Sequence, residues 1–294
     1  MRLQFDVPYA VGPALASLGA HAVPGLELVD AAAGTVERLL MTDDGPVPVR
    51  VRLAPDRVIV ELDDLAAADG EAGTLVESRV RRWLGLDVDV AEAERHLRVD
   101  PVVGPLVAAR PGLRVLGTVD GFETAVLTVL GQQVSVAAAR TFGGRLVRAF
   151  GAPVDRRGLT VFPRASSLAA VPAEDLARAI GLTRARALTV AALARACAAG
   201  LALEPAGPAG ARDLEADMRT RRELLALPGI GPWTVEYLAL RVLRDPDAFP
   251  AEDLVLRRSL GVARAAEAAA LAQGWAPYRG YGVAHLWAET AYGR

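Results

Sequence analysis

Apolar and polar positions along the chain follow two periods. Over the first 99 residues, short runs dense in β-branched residues occur at 35–41 (TVERLLM), 47–53 (VPVRVRL) and 57–62 (RVIVEL). Turn signals separate them, first Asp43, Asp44, Gly45 and Pro46, then Ala54, Pro55 and Asp56. That alternation predicts an antiparallel meander. Two helical stretches, near 13–19 and 73–84, are placed to cover one of its faces. The acidic run 62–71 reads as a solvated loop. From Asp100 onward the pattern is almost wholly helical and rich in Ala, Leu and Arg, with Gly and Pro as punctuation. A linker begins at Arg110, and residues 204–213 (EPAGPAGARD) read as a flexible loop. No repeat of fixed period is present. The predicted class is α+β, with an antiparallel-sheet α/β domain over 1–99 followed by a helical region over 100–294.

Composition narrows the setting. A chain of 294 residues has room for more than one core, and 52% hydrophobic residues excludes a disordered protein. The longest apolar runs are broken by Arg or Glu before they fill a membrane span. The first residues, MRLQFDVPYAVG, lack the apolar stretch and cleavage site of a signal peptide, so a cytoplasmic protein is expected. A single cysteine, Cys197, leaves no internal disulfide and no four-Cys iron–sulfur cluster; its helical surroundings read as core. His21, His96 and His285 show no metal-ligand spacing, so neither metal nor cofactor is expected. His285 lies near Trp287 in the chain, where a structural role is the simpler reading.

The net charge of −2 conceals a division. Residues 1–99 carry 10 Arg against 17 acids, and residues 100–294 carry 23 Arg against 18. The helical region is thus the cationic part, suited to a polyanion. Every cationic side chain other than histidine is Arg, because the chain contains no Lys.

The most informative segment is 227–253, LPGIGPWTVEYLALRVLRDPDAFPAED. Gly229 and Gly231 can turn the chain tightly and leave backbone N–H groups pointing outward at the start of the next helix. That end carries the positive pole of the helix dipole and suits a phosphate. Pro232 fits the first helical position, where no N–H is needed. Trp233 and Tyr237, four residues apart, share a helix face. Asp253 precedes LVLRRSL, where the simplest role is an N-cap. That role is compatible with a catalytic one, since a cap holds the carboxylate rigidly. An ordinary helix–turn–helix connection with core aromatics and a capping Asp also satisfies this pattern. The combination of turn, aromatic face and carboxylate favours a site that grips a DNA backbone and removes a base.

With 109–140 (ARPGLRVLGTVDGFETAVLTVLGQQVSVAAAR) and 275–290 (WAPYRGYGVAHLWAET), this segment resembles the helix-hairpin-helix DNA glycosylases, nearest to the bacterial 3-methyladenine DNA glycosylase II type. The resemblance extends over nearly the whole chain. It implies two all-helical subdomains, roughly 128–245 and 100–127 plus 246–294, that share a helix-hairpin-helix motif. It implies Asp253 as the catalytic aspartate. It implies phosphate contacts from the backbone N–H groups of Gly229, Gly231 and Thr234, and a base pocket of Trp233, Tyr237 and Trp287. Gln133 would fill the gap left by a flipped base. The expected activity is monofunctional hydrolysis of the N-glycosidic bond of alkylated bases in double-stranded DNA, by a monomer. A lyase step usually needs a Lys where this chain has Trp233. Three positions depart from the family pattern: Gln133 where Leu is common, and Leu254 and Ser17 where aromatic pocket residues are found. A hairpin-bound monovalent cation is also a feature of the family. The alternative from another class is a non-catalytic hairpin module that tethers a repair complex to DNA.

Overall fold

The computed structural model describes residues 1–62, 70–154, 158–204 and 212–291. Most of the acidic run and most of the loop after Glu204 lie outside the described residues.

The first part is a five-stranded antiparallel sheet: β1 (Arg2–Leu3), β2 (Glu27–Asp30), β3 (Thr35–Thr42), β4 (Gly45–Ala54) and β5 (Arg57–Leu62), in the spatial order β1-β5-β4-β3-β2. The three expected strands are β3, β4 and β5. Thr42 pairs with Gly45 and Ala54 with Arg57, so each expected turn is a two-residue hairpin loop. β1 and β2 escaped the sequence reading. They are two and four residues long, too short to show an alternation. Helices α1 (Val11–His21) and α2 (Glu71–Leu84) are the expected pair. Leu15, Leu18, Val76, Val80 and Trp83 pack with Val36, Leu40, Val49, Val51, Val58 and Val60 into one core. Strand periodicity puts Val36, Arg38 and Leu40 on the same face of β3. Leu39 points the other way, into a small cluster with Leu159 and Val161.

The chain then becomes helical: α3 (Val90–Leu97), α4 (Gly104–Ala109), α5 (Gly121–Gly131) and α6 (Val136–Phe150). A two-stranded ribbon, β6 (Ala152–Pro153) and β7 (Thr160–Val161), follows. The remaining helices are α7 (Ala165–Ala169), α8 (Ala173–Ile180), α9 (Arg184–Ala198), α10 (Leu214–Leu225), α11 (Pro232–Arg241), α12 (Leu254–Ser259), α13 (Ala265–Leu271) and α14 (Arg279–Thr290). Side-chain caps set several starts: Asp120 accepts from Glu123 N, Ser135 from Ala138 N and Asp213 from Ala216 N. A second core runs through this part, built on Val126, Val129, Leu130, Leu146, Val190, Leu193, Leu238 and Trp275. Val23 and Leu26, from the connection between α1 and β2, belong to it as well. Cys197 packs at its edge, as the helical reading expected.

One contact sets how closely α5 approaches the chain before α10. A Cβ on Gly121 would stand 1.6 Å from Leu203 O. Gly121→Ala is therefore expected to cost about 1–3 kcal/mol, the usual range for overpacking, because backbone on both sides must shift. Urea unfolding measures it, and an unchanged midpoint would show that the two segments separate freely.

Candidate active site

The segment 227–253 forms α11 and its flanks. Gly229 has φ +80°, the left-handed conformation that favours glycine, and a Cβ there would stand 2.1 Å from Thr189 Oγ1. Gly231 differs from the expectation that both glycines serve the same purpose. It is extended, with φ −104° and ψ 176°, caps α11, and has open space where a Cβ would stand. The first intrahelical bond runs from Val235 N to Gly231 O. The N–H groups of Gly231 and Thr234 therefore precede the helical ladder. The Thr234 side chain is buried, and its Oγ1 accepts from Gln132 Nε2 at 3.0 Å. The same Gln132 amide donates to Gly229 O at 3.1 Å. Gln133 follows on the turn between α5 and α6, exposed and with φ +55°, an uncommon conformation for a non-glycine residue. Gln132 thus fastens this turn to the hairpin, a link the sequence reading did not anticipate.

Asp253 does cap α12. Its Oδ1 accepts from Leu256 N at 2.8 Å. Its other contacts are two indoles: Trp233 Nε1 donates to Oδ2 at 3.0 Å and Trp287 Nε1 to Oδ1 at 3.4 Å. Trp233 stacks on Tyr237 with ring centroids 5.4 Å apart and 25° between planes, and Tyr237 meets Trp287 at 5.8 Å. The four residues expected from the segment and from α14 therefore form one constellation. Arg241, one turn beyond Tyr237, donates to its hydroxyl at 3.0 Å and lies over its ring at 5.6 Å.

The loop that presents Asp253 is held by ion pairs absent from the expectation. Arg221 of α10 pairs with Glu236 of α11 at 2.5 Å and with Asp245. Arg212 pairs with Asp217 at 2.5 Å and with Asp245 at 2.9 Å. Glu236 also accepts from Phe249 N at 3.0 Å, and Asp247 pairs with Arg279 at 2.6 Å. Carboxylates on the loop and on α11 thereby tie it to both hairpin helices and to α14.

The constellation opens into a cleft of about 430 Å³. Trp233, Tyr237, Arg241, Asp253 and Trp287 line one side, and Ser17, Leu18 and Trp83 of the sheet domain line another. Gln133 lies outside it, and Leu254 is exposed at the start of α12. His285 is fully buried in α14 rather than at the cleft. Burial, assisted by Arg110, pushes its pKa down to about 4, so it is neutral near pH 7. Among the described residues no group of His, Cys, Asp and Glu is arranged to hold a metal.

A carboxylate fixed by three N–H donors beside stacked rings can face developing positive charge while the rings grip a flat, electron-poor ligand. Residues 1–120 match the AlkA N-terminal domain, and residues 126–272 match the HhH-GPD superfamily base excision DNA repair protein model. A Mycobacterium tuberculosis protein described as a probable bifunctional transcriptional activator/DNA repair enzyme AlkA is 40% identical over 98% of this chain. The chain spans 56% of that protein's length. A Bacillus subtilis DNA-3-methyladenine glycosylase is 31% identical over 71% of this chain and 70% of its own. Among solved structures, the 3-methyladenine DNA-glycosylase from Archaeoglobus fulgidus superposes with a TM-score of 0.80 at 20% identity, covering 98% of both chains. The two matched domains in sequence, the identity to both relatives and the shared fold place this chain in the HhH-GPD superfamily of base excision DNA repair proteins.

Proposed function

We propose that this protein is a monofunctional DNA glycosylase that removes alkylated bases of the 3-methyladenine type from double-stranded DNA, acting as a cytoplasmic monomer. The observation that carries the reading is the carboxylate of Asp253, held by two indoles at the edge of a stacked aromatic wall in a cleft with ample room for a nucleobase. A tethering module has no use for such a cleft. The name of the Bacillus subtilis relative points to the same activity.

The hairpin N–H groups of Gly229, Gly231 and Thr234 bind a phosphate, and the excess Arg of the helical region supplies sequence-independent attraction. Gln133, exposed on its left-handed turn, enters the space that the damaged nucleotide leaves as it rotates out of the stack. Trp233, Tyr237 and Trp287 stack on the extruded base, and most strongly on one that carries positive charge. A cationic base is a good leaving group, so no strong general acid is required. Asp253 stabilises the sugar cation that develops as the bond to the base breaks and orients the attacking water. Water adds to the sugar carbon, and the products are a free base and an abasic site. Ser17 stands on the cleft wall in place of a family aromatic and leaves more space around the base, whereas Leu254, the other replacement, is exposed at the start of α12 and does not line the cleft.

Excision of 3-methyladenine from methylated duplex DNA tests the activity. The abasic product should stay intact until heated with alkali, and borohydride should trap no covalent complex. The chain has no Lys to form a Schiff base, and Arg is effectively always protonated. A trapped adduct mapped to the helical region would overturn the monofunctional assignment. DNA binding with no excision of any lesion would favour the tethering module.

A further inference from the structure

The cleft reaches past the aromatic constellation to a buried group of charges. Arg38 of β3 is 4% exposed and lies on the strand face that carries Val36 and Leu40. Two of its N–H···O contacts go to Glu123 of α5, at 3.0 and 2.8 Å, and Glu27, its cross-strand partner on β2, stands 3.6 Å from its other terminal nitrogen. Its Nε is buried with no hydrogen-bond partner among the described residues. The charge compensation for this buried cation is therefore the two carboxylates, with the Trp83 ring beneath the guanidinium at 5.7 Å. All three residues line the same cleft as Trp233, Tyr237 and Asp253.

Charge counting along the described cleft wall gives three guanidiniums, Arg38, Arg140 and Arg241, and three carboxylates, Glu27, Glu123 and Asp253, beside the imidazole of His21. Arg140 donates to Ala22 O, and Arg241 to the Tyr237 hydroxyl and Gly117 O. Those two cations face the cleft with no carboxylate of their own among these contacts. With Glu27 and Glu123 both ionised the charges of this wall sum to zero, so a positively charged base meets no net repulsion from it. Remove one of those charges and the wall becomes net positive, in a setting where water screens poorly.

We propose that Glu27 and Glu123 are specificity-determining residues, which admit cationic bases to the cleft by balancing the guanidiniums of its wall. This rests on the glycosylase reading above. A cationic substrate carries its positive charge from binding through bond breaking, first on the base and then on the sugar, whereas a neutral base brings no net charge. The two carboxylates therefore act on the first class and leave the second nearly unaffected.

The test is single-turnover excision of 3-methyladenine, cationic in DNA, and hypoxanthine, neutral, from otherwise identical duplexes. It is run at pH 8.5, because burial, opposed by Arg38, pushes the Glu123 carboxyl up to about 7 and raises that of Glu27 as well. Glu123→Gln and Glu27→Gln each keep an acceptor for Arg38 and remove one negative charge. Each should lower the ratio of cationic to neutral excision about tenfold, the scale for a unit charge about 10 Å away at an effective dielectric of about 20. Binding supplies a second measurement that needs no turnover. The preference for duplexes with a protonated pyrrolidine at the lesion over those with a neutral tetrahydrofuran should fall by a similar factor. Ratios that stay at the wild-type value in folded variants, or rates for both bases that fall in parallel, would show the group to be structural scaffolding and overturn the proposal. A wild-type protein that excises neither base fails differently, because it removes the glycosylase reading itself.

Discussion

Asp253→Asn is expected to lower single-turnover excision by roughly 10²–10³-fold, the scale seen when one preorganised electrostatic contact to a transition state is lost. DNA affinity should hold or rise, because on the glycosylase reading a negative charge has left the surface that meets the phosphates. The variant separates charge from architecture. Asn retains an oxygen that can accept from Leu256 N, so the start of α12 stays capped. The amide NH2 takes the place of the oxygen that accepts from Trp233 and cannot accept, so Trp233 loses its partner. That loss costs about 1 kcal/mol in stability and leaves the loop pinned by Glu236, Asp245 and Asp247. A rate deficit that appears at saturating enzyme, with the fold intact, belongs to the chemical step. Near-normal turnover in the folded Asn variant would remove Asp253 from the mechanism.

Gly231→Asp should weaken binding to damaged and undamaged duplex alike, by tenfold or more at low salt. The position is suited to this experiment because nothing within 4 Å obstructs a Cβ and the backbone is extended. An Asp there is also a favoured cap, so the helix should be as stable as before or more so. What changes is the charge that a DNA phosphate meets on approaching the helix start. Gly229 cannot serve the same purpose. Its left-handed φ and the 2.1 Å approach of Thr189 would confound binding with misfolding. Equal affinity of the Gly231 variant and its parent across a salt series would show that the hairpin is only structural.

What the sequence reveals and what it hides divide along chain distance. The strands β3 to β5 and their hairpins were legible because alternation and turn residues are local signals. Trp233, Tyr237 and Asp253 were legible because one turn, one helix and one loop carry them within 27 residues. Gln132 was hidden in plain view beside Gln133, since its partners Gly229 and Thr234 lie about a hundred residues away. The Arg38–Glu123 pair spans 85 residues. Even so, Arg38 left a trace: within TVERLLM it occupies the inward phase with Val36 and Leu40, where an unpaired cation is costly. A charged residue in the apolar phase of a strand announces a buried partner without saying where in the chain that partner lies. Asp245 and Asp247 left no such trace, because acids in a Pro-bounded loop look solvated whatever they bind.

One wall of the cleft comes from the sheet domain, through Ser17, Leu18, Arg38 and Trp83, and the other from the helices. Inheritance of lesion range therefore cannot travel with the helical half alone. A recombinant that joins this helical region to the first domain of a relative would keep the hairpin, the aspartate and the grip on DNA. On the glycosylase reading, its range of damaged bases would shift toward the donor's while the helical aromatic wall and Glu123 stayed its own, and a different spectrum of mutations would follow in a cell exposed to methylating agents.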